Sequence, residues 1–435
     1  GSRFRRNAMD ESKAELYQLI VSQLKTDGFS RLATKLSVEV GLIPRMQTDE
    51  ERLHHLVQAG QRWEEENGSL PHANSGGDGD STSEMAVDSK DGDDVGIDFE
   101  QEKAKLGRLA TPAASRPKYQ TKFITTHKGP CITASFSPDG QLVATGSADF
   151  SIKLLDVEKM VTFNDTKLRG FDPPRPVIRT YYDHTQAVSG LHFHPFQNIL
   201  VSGSRDCTVK FLDTRTSSKR AYRFYQDSHP VRCVMFHPGG DHLIIGTDHC
   251  MVRLYDVNTR QALTTSIPTH HHYGPINSAC YNSDGRTFVT CSKDGFVRIW
   301  DGVSLKCAKF IANAHDGRQV SSAAFSKNGH YVLTSGKDSS VRLWDLRTGN
   351  QLRVYTGHTQ TKTRVRSTFS HNEDFILSAD ESNASVLVWN TRTGEVAERL
   401  TGHNNVVRWI ATCPTRNYIM TCSADSRARI WVGQT

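Results

Sequence analysis

A short pattern that recurs seven times limits what this 435-residue chain can fold into. In each copy, small residues lead into a turn, usually at an aspartate, and an alternating apolar strand follows. The turn positions are 149, 206, 249, 294, 338, 383 and 425, which lie 42 to 45 residues apart except for a first interval of 57. Self-similarity at such a period is typical of solenoids and propellers, in which each repeat buries its apolar face against the next.

Each repeat also has a histidine upstream of the turn, and most have a tight turn between the two, such as SPDG (Ser137 to Gly140) or NSDG (Asn282 to Gly285). Asp-Gly and Asn-Gly pairs supply the positive φ angles of short hairpins, so each repeat is predicted to be four antiparallel strands. A WD repeat has this length of about 40–45 residues. The sequence therefore predicts a mainly β fold, a seven-bladed WD-repeat β-propeller over residues 119–435. Because the last repeat ends at Trp431, Thr121 to Thr126 is expected to close the ring.

The recurring His, Ser/Thr, Asp and Trp residues have the types of a hydrolytic triad, but seven copies favour a structural role, since catalysis needs one site. We expect a hydrogen-bond network inside each blade, because a stranded buried polar group costs about 1–3 kcal/mol. The predicted structural residues are His127, Asp149, His184, Asp206, His229, Asp294, Trp300, His315, Asp338, Trp344, His358, His403 and Asp425.

Two repeats depart from the pattern. His249 occupies the turn position in the third, and Asn383 occupies it in the sixth, with Asp380 displaced. Blades three and six are therefore predicted to be the least regular. Two alternatives would explain these departures: sequence drift at a tolerant position, or a local surface altered for a partner.

No catalytic signature is present, so an enzyme is not expected. The run His270 to His272 is interpreted as a loop and not a metal site, because consecutive residues point in different directions and no acidic or Cys partner flanks them. No cofactor is expected either. The long first interval places an insertion between Val157 and about Ile178, which Asp172 to Pro176 (DPPRP) marks as a surface loop.

Two further regions precede the repeats. Residues 10–63 carry apolar residues at helical spacing and are predicted to form three short helices. So small an all-α domain buries little apolar surface by itself, so its shared face is expected to pack on a partner or, alternatively, on the propeller. Residues 64–118 are predicted to be an acidic flexible linker, since 64–102 contain 13 acidic residues and only Lys90 as a base. Alternating apolar residues around Ile97 would also fit a short linear motif.

Charge adds a candidate surface. After the acidic stretch, residues 103–435 must carry a net charge of +16. Several cations flank the turns or follow the blade histidines, and together they predict a basic rim for phosphates or acidic peptides, the alternative being an ordinary solvated rim. The predicted rim residues are Lys128, Arg205, Lys293, Arg318, Lys337, Lys362 and Arg364.

The chain is expected to be soluble, because no apolar run approaches the 18 residues of a membrane span. Nine cysteines without C-x-x-C pairing indicate a reducing compartment.

Several phrases are more particular than the repeat itself. They are LYQLIVSQLKTDGFSRLATKL (Leu16 to Leu36), THKGP (Thr126 to Pro130), DGQLVATGSAD (Asp139 to Asp149), PVIRTYYDH (Pro176 to His184), SKDGFVRIWDGVS (Ser292 to Ser304), FSKNGHYVLTSGKDS (Phe325 to Ser339) and GHNNVVR (Gly402 to Arg408). In these phrases the chain resembles the WD-repeat subunits of cleavage stimulation factor, a complex of pre-mRNA cleavage and polyadenylation. The resemblance covers nearly the whole chain.

The resemblance implies a nuclear, non-catalytic scaffold that homodimerises through its amino-terminal helices. It nominates Leu16, Leu19, Ile20, Leu24, Phe29 and Leu32 for the dimer interface. It also implies a propeller docked on the helical-repeat scaffold subunit, beside an RNA-binding subunit. A substrate adaptor of a ubiquitin ligase is the alternative, since a dimerising helical motif with a propeller also occurs there.

Overall fold

The computed structural model describes residues 117–168, 174–265 and 267–434, which fold into seven four-stranded antiparallel sheets. The first strands of the sheets are β2 (Cys131–Phe136), β6 (Val188–Phe193), β10 (Val231–Phe236), β14 (Ile276–Tyr281), β18 (Val320–Phe325), β22 (Thr368–Phe369) and β26 (Val407–Thr412). The second strands are β3 (Leu142–Ser147), β7 (Ile199–Ser204), β11 (His242–Thr247), β15 (Thr287–Ser292), β19 (Tyr331–Gly336), β23 (Phe375–Asp380) and β27 (Tyr418–Ser423).

The third strands are β4 (Ile152–Asp156), β8 (Thr208–Asp213), β12 (Arg253–Asp256), β16 (Val297–Asp301), β20 (Val341–Asp345), β24 (Ser385–Asn390) and β28 (Arg427–Gln434). The fourth strands are β5 (Val177–Tyr181), β9 (Arg223–Gln226), β13 (Ala262–Leu263), β17 (Cys307–Ile311), β21 (Gln351–Tyr355), β25 (Val396–Leu400) and β1 (Lys118–Thr126). Successive first strands contact one another around a closed ring, so they line a central channel. This arrangement confirms the predicted seven-bladed propeller, and blades one to seven are numbered in chain order.

The ring closes through the first strand of the chain. β1 pairs antiparallel with β28, from Lys118 opposite Gln434 to Thr126 opposite Arg427, with one bulge. Blade seven therefore combines β26, β27 and β28 with β1. The closing strand predicted over Thr121 to Thr126 is confirmed, and it starts three residues earlier than predicted.

The hydrophobic core lies between neighbouring blades. One cluster joins Cys131 and Val143 of blade one to Met420 and Ile430 of blade seven, all fully buried. The second strands are buried at every position after the first, as in Ile199–Ser204, because each blade has a neighbour on both faces. Each blade is therefore stabilised by the next one.

The first part of the insertion after β4 differs from the predicted surface loop. In place of a surface loop, Val157–Leu168 form helix α1, and Val157 and Met160 are completely buried beside β1 and β28. Ring closure supplies the apolar surface against which this helix packs, which the local sequence does not reveal. A 3-10 turn follows later, at Pro268–His270. No helix in the described residues is long and apolar enough to cross a membrane.

Blades three and six are the least regular, as predicted. Each has a strand of only two residues, β13 in blade three and β22 in blade six. In every blade except blade three, the residue after the turn acid or amide has a positive φ. Cys250, the corresponding residue of blade three, does not. Blade three therefore turns differently at His249.

Candidate functional site

The blade network is clearest in blade four. The Trp300 indole N–H donates to Thr290 Oγ1 at 2.7 Å, Thr290 lies 2.8 Å from His272 Nε2, and His272 Nδ1 lies 2.9 Å from Asp294. Burial lowers the pKa of His272. Burial alone would raise the pKa of Asp294, but hydrogen bonds from His272 and two backbone amides hold it below its ordinary value. A neutral imidazole thus donates to a carboxylate, and each of these four side chains has a hydrogen-bond partner within the blade-four network.

Equivalent networks lie in four other blades. The histidines contact a second-strand hydroxyl through Nε2, and the turn aspartates accept a backbone N–H from the residue after the histidine in three of them. These pairs are His127 with Asp149 and Ser151, His184 with Asp206, His315 with Asp338 (joined by Trp344), and His403 with Asp425. In these blades the histidines and aspartates lie in contacts of the kind expected for a structural network.

Blade three corrects the assignment of His229. The position four residues before the first strand, which holds His184 and His272 elsewhere, holds Asp227 here. Asp227 is 6% exposed, binds Arg253 Nη1 and accepts from the Tyr255 hydroxyl at 3.1 Å. His229 instead lies beside His249, with ring centroids 4.8 Å apart. The prediction was wrong because a histidine happens to lie two residues from the network position.

All members of the network are replaced together in blade three. Where blade four has His272, Thr290, Asp294 and Trp300, blade three has an aspartate, Ile245, His249 and Tyr255. Sequence analysis detected only the turn histidine. The spacing of Asp227 from the first strand was the signal that could have revealed the rest.

Blade six keeps a turn acid at a displaced position. Asp380 is buried and accepts the Thr359 backbone N–H at 3.0 Å, the bond that Asp294 accepts from Tyr273 in blade four. It also accepts from Asn383 and Arg399 at 2.8 Å each. His358 was predicted to join the blade network, but it is buried edge-on against Trp389, and neither ring nitrogen has a hydrogen-bond partner. His358 is therefore part of the core and not of a complete network.

We expect His358 to make stability pH-dependent. Burial lowers its pKa from 6.5 to about 4. The unfolded chain therefore binds more protons between these values, so this stability is present above pH 6.5 and is lost as the pH falls towards 4. The contribution is about 2 kcal/mol between pH 7.5 and 5. Urea unfolding of wild type and His358→Phe at both pH values measures it. The variant keeps the aromatic contact and should lose that share of the pH dependence; identical pH slopes would contradict the assignment.

Most of the predicted rim residues are exposed on one face. We define the turn face as the end of the propeller where the second and third strands of each blade are joined. Arg205 and Lys293 are exposed at these turns, and Lys337 is half-buried at the turn of blade five. Lys128, Arg318 and Lys362 are exposed in loops after the first, fifth and sixth blade histidines. A row of cations thus lies around the turn face.

Arg364 is not a rim residue. Its guanidinium reaches into the central channel, where Nη1 donates to the Asn277 carbonyl at 3.1 Å and Nη2 to the Arg232 carbonyl at 3.5 Å. Burial and, to a smaller extent, the neighbouring Arg232 lower its pKa to about 10. Loop position alone placed Arg364 on the surface, but the loop turns inward.

The same channel mouth contains three arginines that sequence analysis missed, Arg232, Arg366 and Arg408. Arg232 and Arg408 are the second residues of β10 and β26, and both lie where the pairing with the next strand shifts register. Such bulged residues are re-aimed out of the sheet. A cation directly after the first buried residue of an inner strand is the signal that could have found them.

The side chains of the histidine run His270 to His272 make contacts within the fold. His270 ends the 3-10 turn and accepts the Cys307 backbone N–H through Nδ1, while His272 belongs to the blade-four network. Among the described residues no group of three His, Cys, Asp or Glu side chains is placed to hold a metal ion. The nominated dimer residues Leu16, Leu19, Ile20, Leu24, Phe29 and Leu32 lie outside the described residues.

Two family models match the chain. Residues 11–65 match "Cleavage stimulation factor subunit 1, dimerisation domain". The model "WD domain, G-beta repeat" matches residues 118–156, 175–213, 219–256, 262–301, 306–345, 349–390 and 394–432.

Curated relatives divide into two groups. The chain is 37% identical over 318 residues to cleavage stimulation factor subunit 50 of Arabidopsis thaliana, covering 72% of this chain and 73% of the relative. It is 25% identical over 170 residues to eukaryotic translation initiation factor 3 subunit I of Culex quinquefasciatus, covering 37% of this chain and 47% of that protein. It is 24% identical over 184 residues to the COMPASS component SWD3 of Saccharomyces cerevisiae, covering 41% and 53%. The second group matches less than half of this chain.

Proposed function

Because the chain belongs to the family of cleavage stimulation factor subunit 50 and acts in mRNA 3′-end processing, we propose that it is a non-catalytic scaffold subunit of a cleavage stimulation complex. One observation carries the proposal: the similarity to subunit 50 extends over most of the propeller, and a dimerisation-domain model specific to this complex matches the amino-terminal region. The blade networks support a non-catalytic role, because their polar groups bind one another inside the blades.

The scaffold acts as a homodimer through residues 10–63, and the 64–118 linker joins this dimer to the propellers. The propeller docks on the helical-repeat scaffold subunit, beside the RNA-binding subunit, in the nucleus. A dimer that binds a dimeric partner gains affinity by up to about 10²–10⁴ when the geometry lets both copies engage. Two weak propeller contacts are then enough for stable assembly.

Purification of the intact chain from nuclear extract tests this assignment. We expect the helical-repeat and RNA-binding subunits to be recovered with it in stoichiometric amounts. A chain lacking residues 1–65 should retain the propeller contacts but recover less of both subunits, since the two-fold valence is lost. Recovery of ubiquitin-ligase components in place of the two subunits would favour the adaptor alternative and contradict the proposal.

The exposed part of the basic rim is proposed to contact the RNA backbone or an acidic partner segment. If it touches RNA, the affinity of the intact chain for single-stranded RNA must fall with salt, because phosphate contacts release counterions. Two such contacts lower affinity by about tenfold between 50 and 200 mM salt. We expect a similar loss at low salt from the charge reversals Lys293→Glu and Lys337→Glu combined.

A matched control is available on the opposite face. Lys219 is exposed in the loop joining β8 and β9, which the alternation of strands places at the other end of the propeller from the turn face. Lys219→Glu should leave RNA affinity within about twofold, since opposite faces lie well beyond a Debye length of about 8–10 Å. Equal losses in both variants, or binding insensitive to salt, would remove RNA from the proposal.

A further inference from the structure

The central channel is lined by one residue from the inner strand of nearly every blade. At the second position of β2, β6, β10, β14, β18 and β26 the register shifts, so one residue is unpaired. These unpaired residues all line one cavity at the channel mouth on the turn face: Ile132, Ser189, Arg232, Asn277, Ser321 and Arg408. Blade six adds the segment from Lys362 to Arg366. The repeat itself therefore builds a single ring of inward-facing side chains.

The lining of this cavity, which also includes the turn residues Arg205 and Asp248, is strongly cationic. Its charged members are Arg205, Arg232, Lys362, Arg364, Arg366, Arg408 and Asp248. The single acid, Asp248, is paired with Arg232 at 2.9 Å. Five positive charges in the lining thus have no acidic partner within it. Burial lowers the pKa values of Arg364, Arg366 and Arg408, and neighbouring arginines lower those of Arg364 and Arg408 further, because like charges gathered out of water repel.

Some donors of these arginines remain unused. The Nε atoms of Arg366 and Arg408 are buried and have no hydrogen-bond partner. Uncompensated buried charge and unmade charged hydrogen bonds are both costly, and a bound anion relieves both at once. The Ser321 hydroxyl, whose oxygen accepts from the Gln360 amide, keeps its own hydrogen as a further donor in the same cavity.

The shape of the site favours a compact ligand. The cavity has a volume of about 280 Å³, and cations reach it from blades two, three, six and seven. Single-stranded RNA needs a groove along its backbone and open aromatic rings for its bases. Trp409 is the one aromatic ring in the lining, and the Arg366 guanidinium lies over it at 4.6 Å. Charges that converge from several sides match a molecule whose anionic groups radiate from a small centre.

We propose that the channel mouth on the turn face binds a small molecule bearing several phosphate groups, held by Arg232, Arg364, Arg366 and Arg408. Guanidinium groups bind phosphates through paired, charge-assisted hydrogen bonds, which explains why five arginines and only one lysine line the site. Arg205 and Lys362 belong to both the rim and the lining of this site, whereas the four arginines that hold the ligand are not exposed rim residues. The proposal does not depend on which complex the chain joins.

Calorimetric titration of the full chain with myo-inositol hexakisphosphate at 150 mM NaCl tests the proposal. We expect saturable binding of one molecule per chain, and binding of inorganic phosphate weaker by at least about a hundredfold, since it offers fewer paired contacts. Arg408→Gln should weaken hexakisphosphate binding by about tenfold or more. Lys293→Gln removes the same charge from the same face outside the cavity, and its affinity should stay within about twofold.

Lys362→Gln provides a second cavity variant that does not depend on a buried side chain. Lys362 is exposed at the mouth, so this substitution should fold normally and still weaken hexakisphosphate binding. Equal losses in Lys362→Gln, Arg408→Gln and Lys293→Gln would show general charge attraction and overturn the site. The absence of saturable hexakisphosphate binding would overturn it too. So would binding of single-stranded RNA or a polyglutamate peptide that depends on Arg408, if the hexakisphosphate itself does not bind.

Discussion

The Asp294→Ala substitution is expected to destabilise the propeller by about 3–5 kcal/mol, because it leaves three hydrogen-bond donors without their acceptor, at about 1–3 kcal/mol each. Asp294 accepts hydrogen bonds from His272 at 2.9 Å, from the Tyr273 backbone N–H at 2.8 Å and from the Phe296 backbone N–H at 2.9 Å. Alanine leaves these donors without a partner, and the fully enclosed His272 side chain cannot turn to water. Urea unfolding at pH 7.5, followed by tryptophan fluorescence, measures the loss.

Blade three supplies the matched control. His249 occupies the same turn position, but it is half-buried: its ring accepts the Met251 backbone N–H at 3.2 Å, contacts Cys250 Sγ at 3.8 Å and lies tilted against the His229 ring. We therefore expect His249→Ala to cost about 1 kcal/mol or less, as for an ordinary partly exposed hydrogen bond. If the two alanine variants lost the same stability, the blade network would not be the source of the effect.

The repeat pattern was enough to predict the propeller, its closure and its two irregular blades. Each of these depends on local spacing: the interval between turns, the missing strand after Trp431 and the residue seven positions before each strand end. A histidine contacts the turn aspartate where it lies four or five residues before the inner strand, as His272 and His315 do. The prediction failed at His229, because residue type was weighed there without that spacing.

The remaining differences depend on three-dimensional contacts. Helix α1 replaces the predicted loop because Val157 and Met160 find an apolar surface only after β1 has joined blade seven. Arg364 was predicted on the rim, and Arg408 was not singled out, because whether a cation faces water or the channel depends on bulges and on the path of the blade-six loop. Periodicity gives no information on either.

The amino-terminal helices are expected to hold two chains together, and a single charge on their apolar face should separate them. Leu16, Ile20 and Leu24 recur at helical spacing, so they share one face. Ile20→Glu would bury a carboxylate in that interface, at a cost of several kcal/mol, and should give a monomer at micromolar concentration. Gln18→Glu adds the same charge about half a turn away on the helix and should leave the dimer intact.

The central claim is that this chain is a dimeric scaffold whose two propellers are joined through residues 10–63. Light scattering coupled to size-exclusion chromatography tests it by measuring the mass of the intact chain and of a form lacking residues 1–65. We expect twice the chain mass of 48.6 kDa for the intact protein and the mass of one chain for the shortened form. A monomeric intact protein, or a shortened form that remains dimeric, would contradict it.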